Sequence, residues 1–174
     1  MIRTSIFLVF SAANLAYSWP WLCCVRSYGF YRFLAFEGLC GLLLVQMPAW
    51  FADPLSAHQL LSWICLAGSL ALATHGFVLL HQSGKPERGI EPTTILVTRG
   101  AYRYIRHPLY CSLLLLAGGA FIKSVSAVSF LLALASIGLV ALTAFAEEQE
   151  NLTRFGSAYA SYRTQTKMFV PGVF

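Results

Sequence analysis

Apolar residues fall into five blocks along the chain, parted by short polar breaks. The first block runs from about Ser5 to Val25 without a charged residue and carries Pro20 near its end. Arg3 ahead of an apolar run also fits a secretory signal, but the block is long for a signal core and Tyr17-Ser18-Trp19-Pro20 is a poor cleavage site. The second block, Phe30 to Phe51, is long enough to span roughly 30 Å as a helix. Trp50 and Phe51 mark its far interface, and Asp53-Pro54 predicts a turn. The third block extends from Gln59 to about His81. A fourth starts near Tyr104 and ends at Ile122, and a fifth runs from Val125 to about Ala146. Lys123-Ser124 is a tight connection, so the last two blocks are expected to form a helical hairpin. In the tail, Glu147 to Phe174, the positions Leu152, Phe155, Tyr159 and Tyr162 recur at steps of three and four. That spacing predicts an amphipathic helix on the membrane surface, ended before Pro171.

Between the third and fourth blocks lies the longest polar stretch, Gln82 to Thr94. It holds two prolines, two glycines and four charges, which exclude a continuous helix. The pattern predicts a single all-α integral membrane domain over residues 1–174, with about five transmembrane helices and a cytoplasmic amphipathic C-terminal helix. Residues 1–92 are expected to be scaffold and loop, and residues 93–174 the half that carries chemistry.

Composition agrees with a membrane chain. Of the 174 residues 57% are hydrophobic and 11% charged, against about 25% charged in soluble domains. A soluble domain of this size would lack the charge to cover itself. The net charge of +5 would suggest nucleic acid in a soluble protein. In a membrane chain it points instead to orientation and contact with anionic lipid, and no nucleic-acid partner is expected. Cysteines 23, 24, 40, 65 and 111 form no CxxC pair and read as small apolar fillers, with no metal site expected.

Orientation follows from the basic residues. With the amino terminus outside, ten of the twelve Lys and Arg fall on the cytoplasmic side: Arg26, Arg32, Lys85, Arg88, Arg99, Arg103, Arg106, Arg154, Arg163 and Lys167. Only Arg3 and Lys123 fall outside. Such a bias predicts the carboxyl terminus in the cytoplasm.

One stretch concentrates polar chemistry. Thr98 to Tyr110 holds three arginines, a histidine and three tyrosines, directly before an apolar run. Pro108 disfavours the α conformation at His107, so Arg106 and His107 are expected just before the fourth helix. A helix N-terminus offers free amides and favours negative charge. Together with tyrosine rings it suits an adenosine or a cationic sulfur centre. A basic helix cap anchored to lipid headgroups is the plainer alternative. The second concentration is Glu147-Glu148 with Glu150. At a helix C-terminus these acids would be disfavoured, so either the helix continues or the acids have partners. A surface salt-bridge network is one outcome. The other is a carboxylate that grips the amino group of a ligand.

Leu96-Val97-Thr98-x-Gly100-x-Tyr102, Arg106-His107-Pro108-x-Tyr110, Glu147-Glu148, Phe155-Gly156-x-x-Tyr159-x-x-Tyr162 and Pro171 follow one another in that order. Over residues 93–174 this order resembles the isoprenylcysteine carboxyl methyltransferase and phospholipid methyltransferase family. The amino-terminal half is similar in hydropathy alone. The resemblance implies a membrane methyltransferase that uses S-adenosylmethionine without a Rossmann domain. Its cofactor pocket faces the cytoplasm, and its lipid-like or hydrophobic acceptor comes from the bilayer. By motif, the cofactor pocket is expected to involve Thr94, Ile95, Leu96, Val97, Tyr102, His107, Pro108, Leu109 and Tyr110. Glu147 is expected to bind the cofactor's amino group. Two positions depart from the pattern. Thr143 stands where the prenylcysteine enzymes place an arginine for the substrate carboxylate, and Thr94 stands where a histidine is usual. A prenylcysteine acceptor is therefore not expected.

Arg106 and Glu148 are the candidates for orienting substrate or accepting its proton. Glu37 lies about eight residues into the second block, roughly 10–12 Å deep. An intramembrane carboxylate is a functional candidate, here for holding an amine headgroup, or a structural tie to Arg32 or His75. His75 and His81 read as packing and interface residues. Integral-membrane sterol reductases carry a similar RHPxY element, so an NADPH-dependent reductase is the alternative enzyme. A non-catalytic membrane scaffold is the third reading.

Overall fold

The computed structural model describes residues 1–22, 27–85 and 93–172. Outside the described residues lie Cys23, Cys24, Val25 and Arg26, the middle of the polar loop with Glu87, Arg88 and Glu91, and Val173 and Phe174. The expected end of the first block at Val25 falls there too.

Among the described residues the fold is all-helical. Its helices are α1 (Ile2–Leu22), α2 (Tyr28–Gln46), α3 (Ala57–Ser83), α4 (Pro108–Lys123), α5 (Ala127–Phe155) and α6 (Ser157–Gln165). Single 3-10 turns cover Met47–Ala49 and Gly100–Arg103. The boundaries have local causes. The Ser27 hydroxyl accepts from the Phe30 amide at 3.2 Å and starts α2. Ser126 and Ser129 cap one another at the start of α5. Pro108 opens α4, where its missing N–H costs nothing.

Three helical stretches are long and apolar enough to cross a membrane: Tyr28–Ala49, Ala57–Ser83 and Ala127–Phe155. Helix α4 is apolar but has only 16 residues, about 24 Å at 1.5 Å per residue. It starts at Pro108, as the proline predicts, and the first residues of the apolar block, Tyr104 to His107, pair with the tail instead.

Small residues and short hydroxyls bring the helices together. Helix α4 lies chiefly along α3, and α5 chiefly along α2, while α1 packs on α2. Ser62 and Ser69 of α3 each donate at 2.7 Å to carbonyls of α4, those of Gly119 and Ser112. Such bonds tie helices where apolar side chains meet lipid anyway. The core between α2, α4 and α5 is built on Leu39, Leu42, Ala117, Ala120 and Ala133. A second cluster adds Tyr110, Val140, Ala144, Met168 and Phe169, which brings the tail into the bundle.

The end of the bundle opposite the tail is closed by polar clamps. Gln46 donates to the Phe121 and Ser124 carbonyls at 3.2 and 2.7 Å. Gln59 donates to Ala49 and Lys123 carbonyls and accepts from the Lys123 ammonium at 2.9 Å. That ammonium sits 3.7 Å from the Trp63 ring centroid and 5.1 Å from that of Trp50. Lys123 is only 2% exposed, so the ring faces and the amide replace its water.

The tail differs from expectation. Helix α5 runs unbroken past Ala146 to Phe155, and the chain then turns at Gly156 with φ 55° and ψ −129°. Only glycine visits that region without strain. The single surface helix expected from Glu147 onward is thus two pieces: an extension of α5, and the short α6 folded back on the bundle. Tyr159 and Tyr162 of α6 are buried.

Candidate functional site

The continuation of α5 changes what Glu147 and Glu148 can do. They lie inside the helix, eight and seven residues before its end at Phe155. The dipole penalty expected at a C-terminus therefore does not act on them. Consecutive helix positions point about 100° apart. Glu148 faces the segment before α4, and Glu147 faces a cavity beside it.

Glu148 is gripped from several sides. The Arg106 Nε donates to its Oε1 at 2.5 Å, His107 Nε2 stands 3.5 Å from the same oxygen, and Arg163 Nε is 3.4 Å from Oε2. The Arg106 and Glu148 side chains are 10% and 4% exposed. Arg106 also donates to the carbonyls of Arg163 and Thr166. Backbone bonds complete the tie: Arg106 and His107 amides donate to Lys167 and Met168 carbonyls at 2.8 and 3.3 Å. A parallel bridge joins Ile105 to Lys167. This cluster therefore joins the segment before α4, the helix α5 and the tail.

The cavity draws on both halves of the chain. Of the expected residues, Leu96, Val97, Tyr102, Arg106, His107, Leu109, Tyr110 and Glu147 line it. Several do not. The Thr94 hydroxyl donates to the Lys85 carbonyl at 2.8 Å, and Thr93 faces the cavity in its place. Ile95 is 45% exposed. Pro108 is buried against Gly76 of α3. Glu148 is not among the lining residues, because its carboxylate is turned to the arginines.

Glu37 is also elsewhere. Its Oε2 accepts from Ser11 at 2.6 Å and its Oε1 from Asn14 at 2.8 Å, both on α1. The expected structural tie thus exists, but to α1, and neither Arg32 nor His75 supplies it. Arg32 lies instead among the rings of Tyr17, Trp21 and Tyr28, each about 5 Å from its guanidinium carbon. His75 accepts from the Ala101 amide at 3.4 Å, and His81 stacks on Phe77.

Residues not expected from the sequence complete the wall: Tyr28 and Leu80 from the first half, and Glu150, Asn151, Arg154 and Phe155 from α5. The α5 residues follow Glu147 at steps of three, four, seven and eight. The signal was present, but only for a reader who lets the helix continue. Tyr28 and Leu80 carry no local mark. Glu150 is thus a cavity residue.

Glu147 Oε2 and the Tyr159 hydroxyl are buried wall atoms without a hydrogen-bond partner among the described residues. Glu147 Oε1 accepts from Asn151 at 3.4 Å, while its buried Oε2 has no hydrogen-bond partner among the described residues. A buried acceptor left unmade costs about 1–3 kcal/mol, more when charged. Aromatic groups stand across from it. Burial pushes the phenols of Tyr159 and Tyr162 above their usual range, so both keep their protons. Tyr162 spends its proton on the Tyr102 carbonyl, which fixes the 3-10 turn to α6. The wall therefore offers one uncompensated carboxylate, several ring faces and the first turn of α4. Among the described residues no group of His, Cys, Asp and Glu is placed to hold a metal ion.

The turn that carries Tyr102 depends on Gly100. Its φ is +57°, and a Cβ there would lie 2.6 Å from Leu79 and 2.7 Å from His75 of α3. Gly100→Ala is expected to cost about 1–3 kcal/mol, read as a lower thermal midpoint in detergent. An unchanged midpoint would show that the turn is not held against α3.

Compared with family models, with curated proteins and with solved structures, the chain matches none.

Proposed function

We propose that this chain is an integral-membrane methyltransferase that moves a methyl group from S-adenosylmethionine to a lipid-like or hydrophobic acceptor. The observation that carries this reading is Glu147 Oε2, a buried carboxylate oxygen without a partner among the described residues, in a cavity walled by tyrosines. A ligand with a fixed ammonium group satisfies it by a charge-assisted bond. The Tyr110 and Tyr159 rings and the first turn of α4 then provide faces and amides for an adenosine. The cofactor supplies the reactive methyl group; the protein positions the partners and keeps water out. Arg106 reaches the cavity edge and remains the candidate for orienting the acceptor. Glu148 acts through Arg106, by holding its guanidinium in place. The motif order across residues 93–174 supports the same reading.

The membrane arrangement belongs to this proposal. Helices α1 and α4 join the three long apolar helices as spans, with the amino terminus outside and the tail in the cytoplasm. From Ala127 to Glu147 is 20 residues along α5, about 30 Å, so the cavity sits at the bilayer boundary. There a water-soluble cofactor and a lipid acceptor can meet. A reporter fused after Phe174 is expected to read as cytoplasmic; an extracytoplasmic signal would remove this geometry.

Equilibrium binding of labelled S-adenosylmethionine and of NADPH to the detergent-solubilised protein tests the function. Binding of the first alone supports the methyltransferase. Binding of NADPH alone would replace it with the reductase, and binding of neither would leave a scaffold. The acceptor is narrowed by Thr143, which is fully buried and bonds the Leu139 carbonyl at 2.7 Å. Its hydroxyl, already spent on that carbonyl, offers no charge to a substrate carboxylate. Farnesylcysteine analogues are therefore expected to be poor acceptors, and efficient methyl-ester formation on one would overturn that expectation.

A further inference from the structure

A second concavity lies outside the cavity wall, separated from it by Leu96 and Tyr162, which line both. It runs between Thr98–Arg103 and α6. Arg99 and Arg103 project along it, with Thr98, Ser161 and Gln165 adding hydroxyl and amide groups. Among the described residues no acid lines it. The described acids are all placed elsewhere: Glu37 on α2 against α1, Asp53 at the opposite end, Glu148 in the arginine cluster, Glu147 and Glu150 in the cavity wall. Arg99 and Arg103 are exposed, and so is Lys167, whose amide bonds the Tyr104 carbonyl beside them.

Its depth is set by α3. Gly100 packs against His75, 18 residues after Ala57 where α3 begins. At 1.5 Å per residue that is about 27 Å, close to the roughly 30 Å of a hydrocarbon core. The shelf therefore stands at headgroup level. Exposed apolar residues adjoin its lining residues in the chain: Tyr104, 61% exposed, follows Arg103, and Ile95, 45% exposed, precedes Leu96. A tyrosine beside arginines at this depth suits the seam between acyl chains and headgroups.

We propose that this shelf binds the headgroup of an anionic membrane phospholipid, with Arg99 and Arg103 on the phosphate and Tyr104 and Ile95 against the upper acyl chain. Arginine's planar fork suits a phosphate in two-point contact. The polar rim of Ser161 and Gln165 meets the rest of the headgroup. This site rests on the membrane placement alone and not on the methyl-transfer reading.

The test titrates dioctanoylphosphatidylglycerol into the full-length protein in a zwitterionic detergent and follows binding by thermophoresis. Dioctanoylphosphatidylcholine and inorganic phosphate serve as comparison probes. Phosphatidylglycerol is expected to bind at least tenfold tighter than either, and R99Q/R103Q is expected to weaken it tenfold or more. Both arginines are exposed, so the variant keeps its fold; an unchanged thermal midpoint checks this. R99K/R103K is expected to restore part of the affinity. The proposal is overturned if R99Q/R103Q binds the lipid like wild type, or if phosphatidylcholine binds equally well. Equal binding of inorganic phosphate would also overturn it, since the site would then be one for a soluble anion.

Discussion

Glu148→Ala is expected to destabilise the protein by about 3–5 kcal/mol, the usual cost of removing one partner from a buried ion pair. Arg106 would remain, 10% exposed and without its carboxylate, beside His107 and the partly exposed Arg163. Three cationic or potentially cationic groups would then face one another without a counter-charge. The loss would not stay local, because the cluster joins α5, the segment before α4 and the tail. Two readouts follow. The thermal midpoint in detergent should fall sharply, and limited proteolysis should cut faster in the tail beyond Gly156. Glu148→Gln keeps the shape and one acceptor and should fall between the two. A midpoint within error of wild type for Glu148→Ala would mean that the tail is held by its backbone bonds and by Tyr159, Tyr162 and Phe169 alone.

Glu147→Gln should behave in the opposite manner. Its Oε2 makes no hydrogen bond among the described residues, so the fold is expected to lose little when the charge is removed. Binding of S-adenosylmethionine, by contrast, should weaken about tenfold to a hundredfold, equivalent to roughly 1.5–3 kcal/mol for a charge-assisted bond. On the proposed function, two adjacent glutamates are expected to separate a structural role from a ligand-binding one. Glu150→Gln cannot serve as the silent control, since Glu150 lines the same cavity. Asp53→Asn is the better control. Asp53 is exposed at the opposite end with φ 43°, a conformation that asparagine also accepts. Wild-type affinity in Glu147→Gln would return Glu147 to the role of a wall residue and remove the main support for the cofactor assignment.

Much of the fold was legible in the pattern of apolar blocks, because a chain so poor in charge has little choice but to form apolar helices. The start of α4 at Pro108 was legible for a covalent reason, since proline's ring restricts the residue before it. The tail was harder. Hydropathy falls after Ala146, and a fall in hydropathy reports where the surroundings become polar, not where a helix ends. Helix α5 crosses that boundary without a break. The partners of Glu148 were legible only as a set, because three arginines precede α4 and a further two lie in the tail; selecting Arg106 and Arg163 needs the tail's bridge to Ile105. Glu37 illustrates the reverse limit. Its partners, Ser11 and Asn14, are ordinary residues of α1, and nothing local marks them as its ligands.

The polar clamps around Lys123 also constrain how the bundle can move. With the ends of α2, α3 and α4 stapled through Gln46, Gln59 and the two tryptophans, that end acts as the hinge of a pair of tweezers. Displacement then grows with distance from the hinge. A tilt of about 5° is negligible at Lys123 but opens about 2–3 Å at the other tip of a helix roughly 30 Å long. Opening between the helices is therefore expected at the end that holds Glu147, about 30 Å from the lysine that sets its leverage.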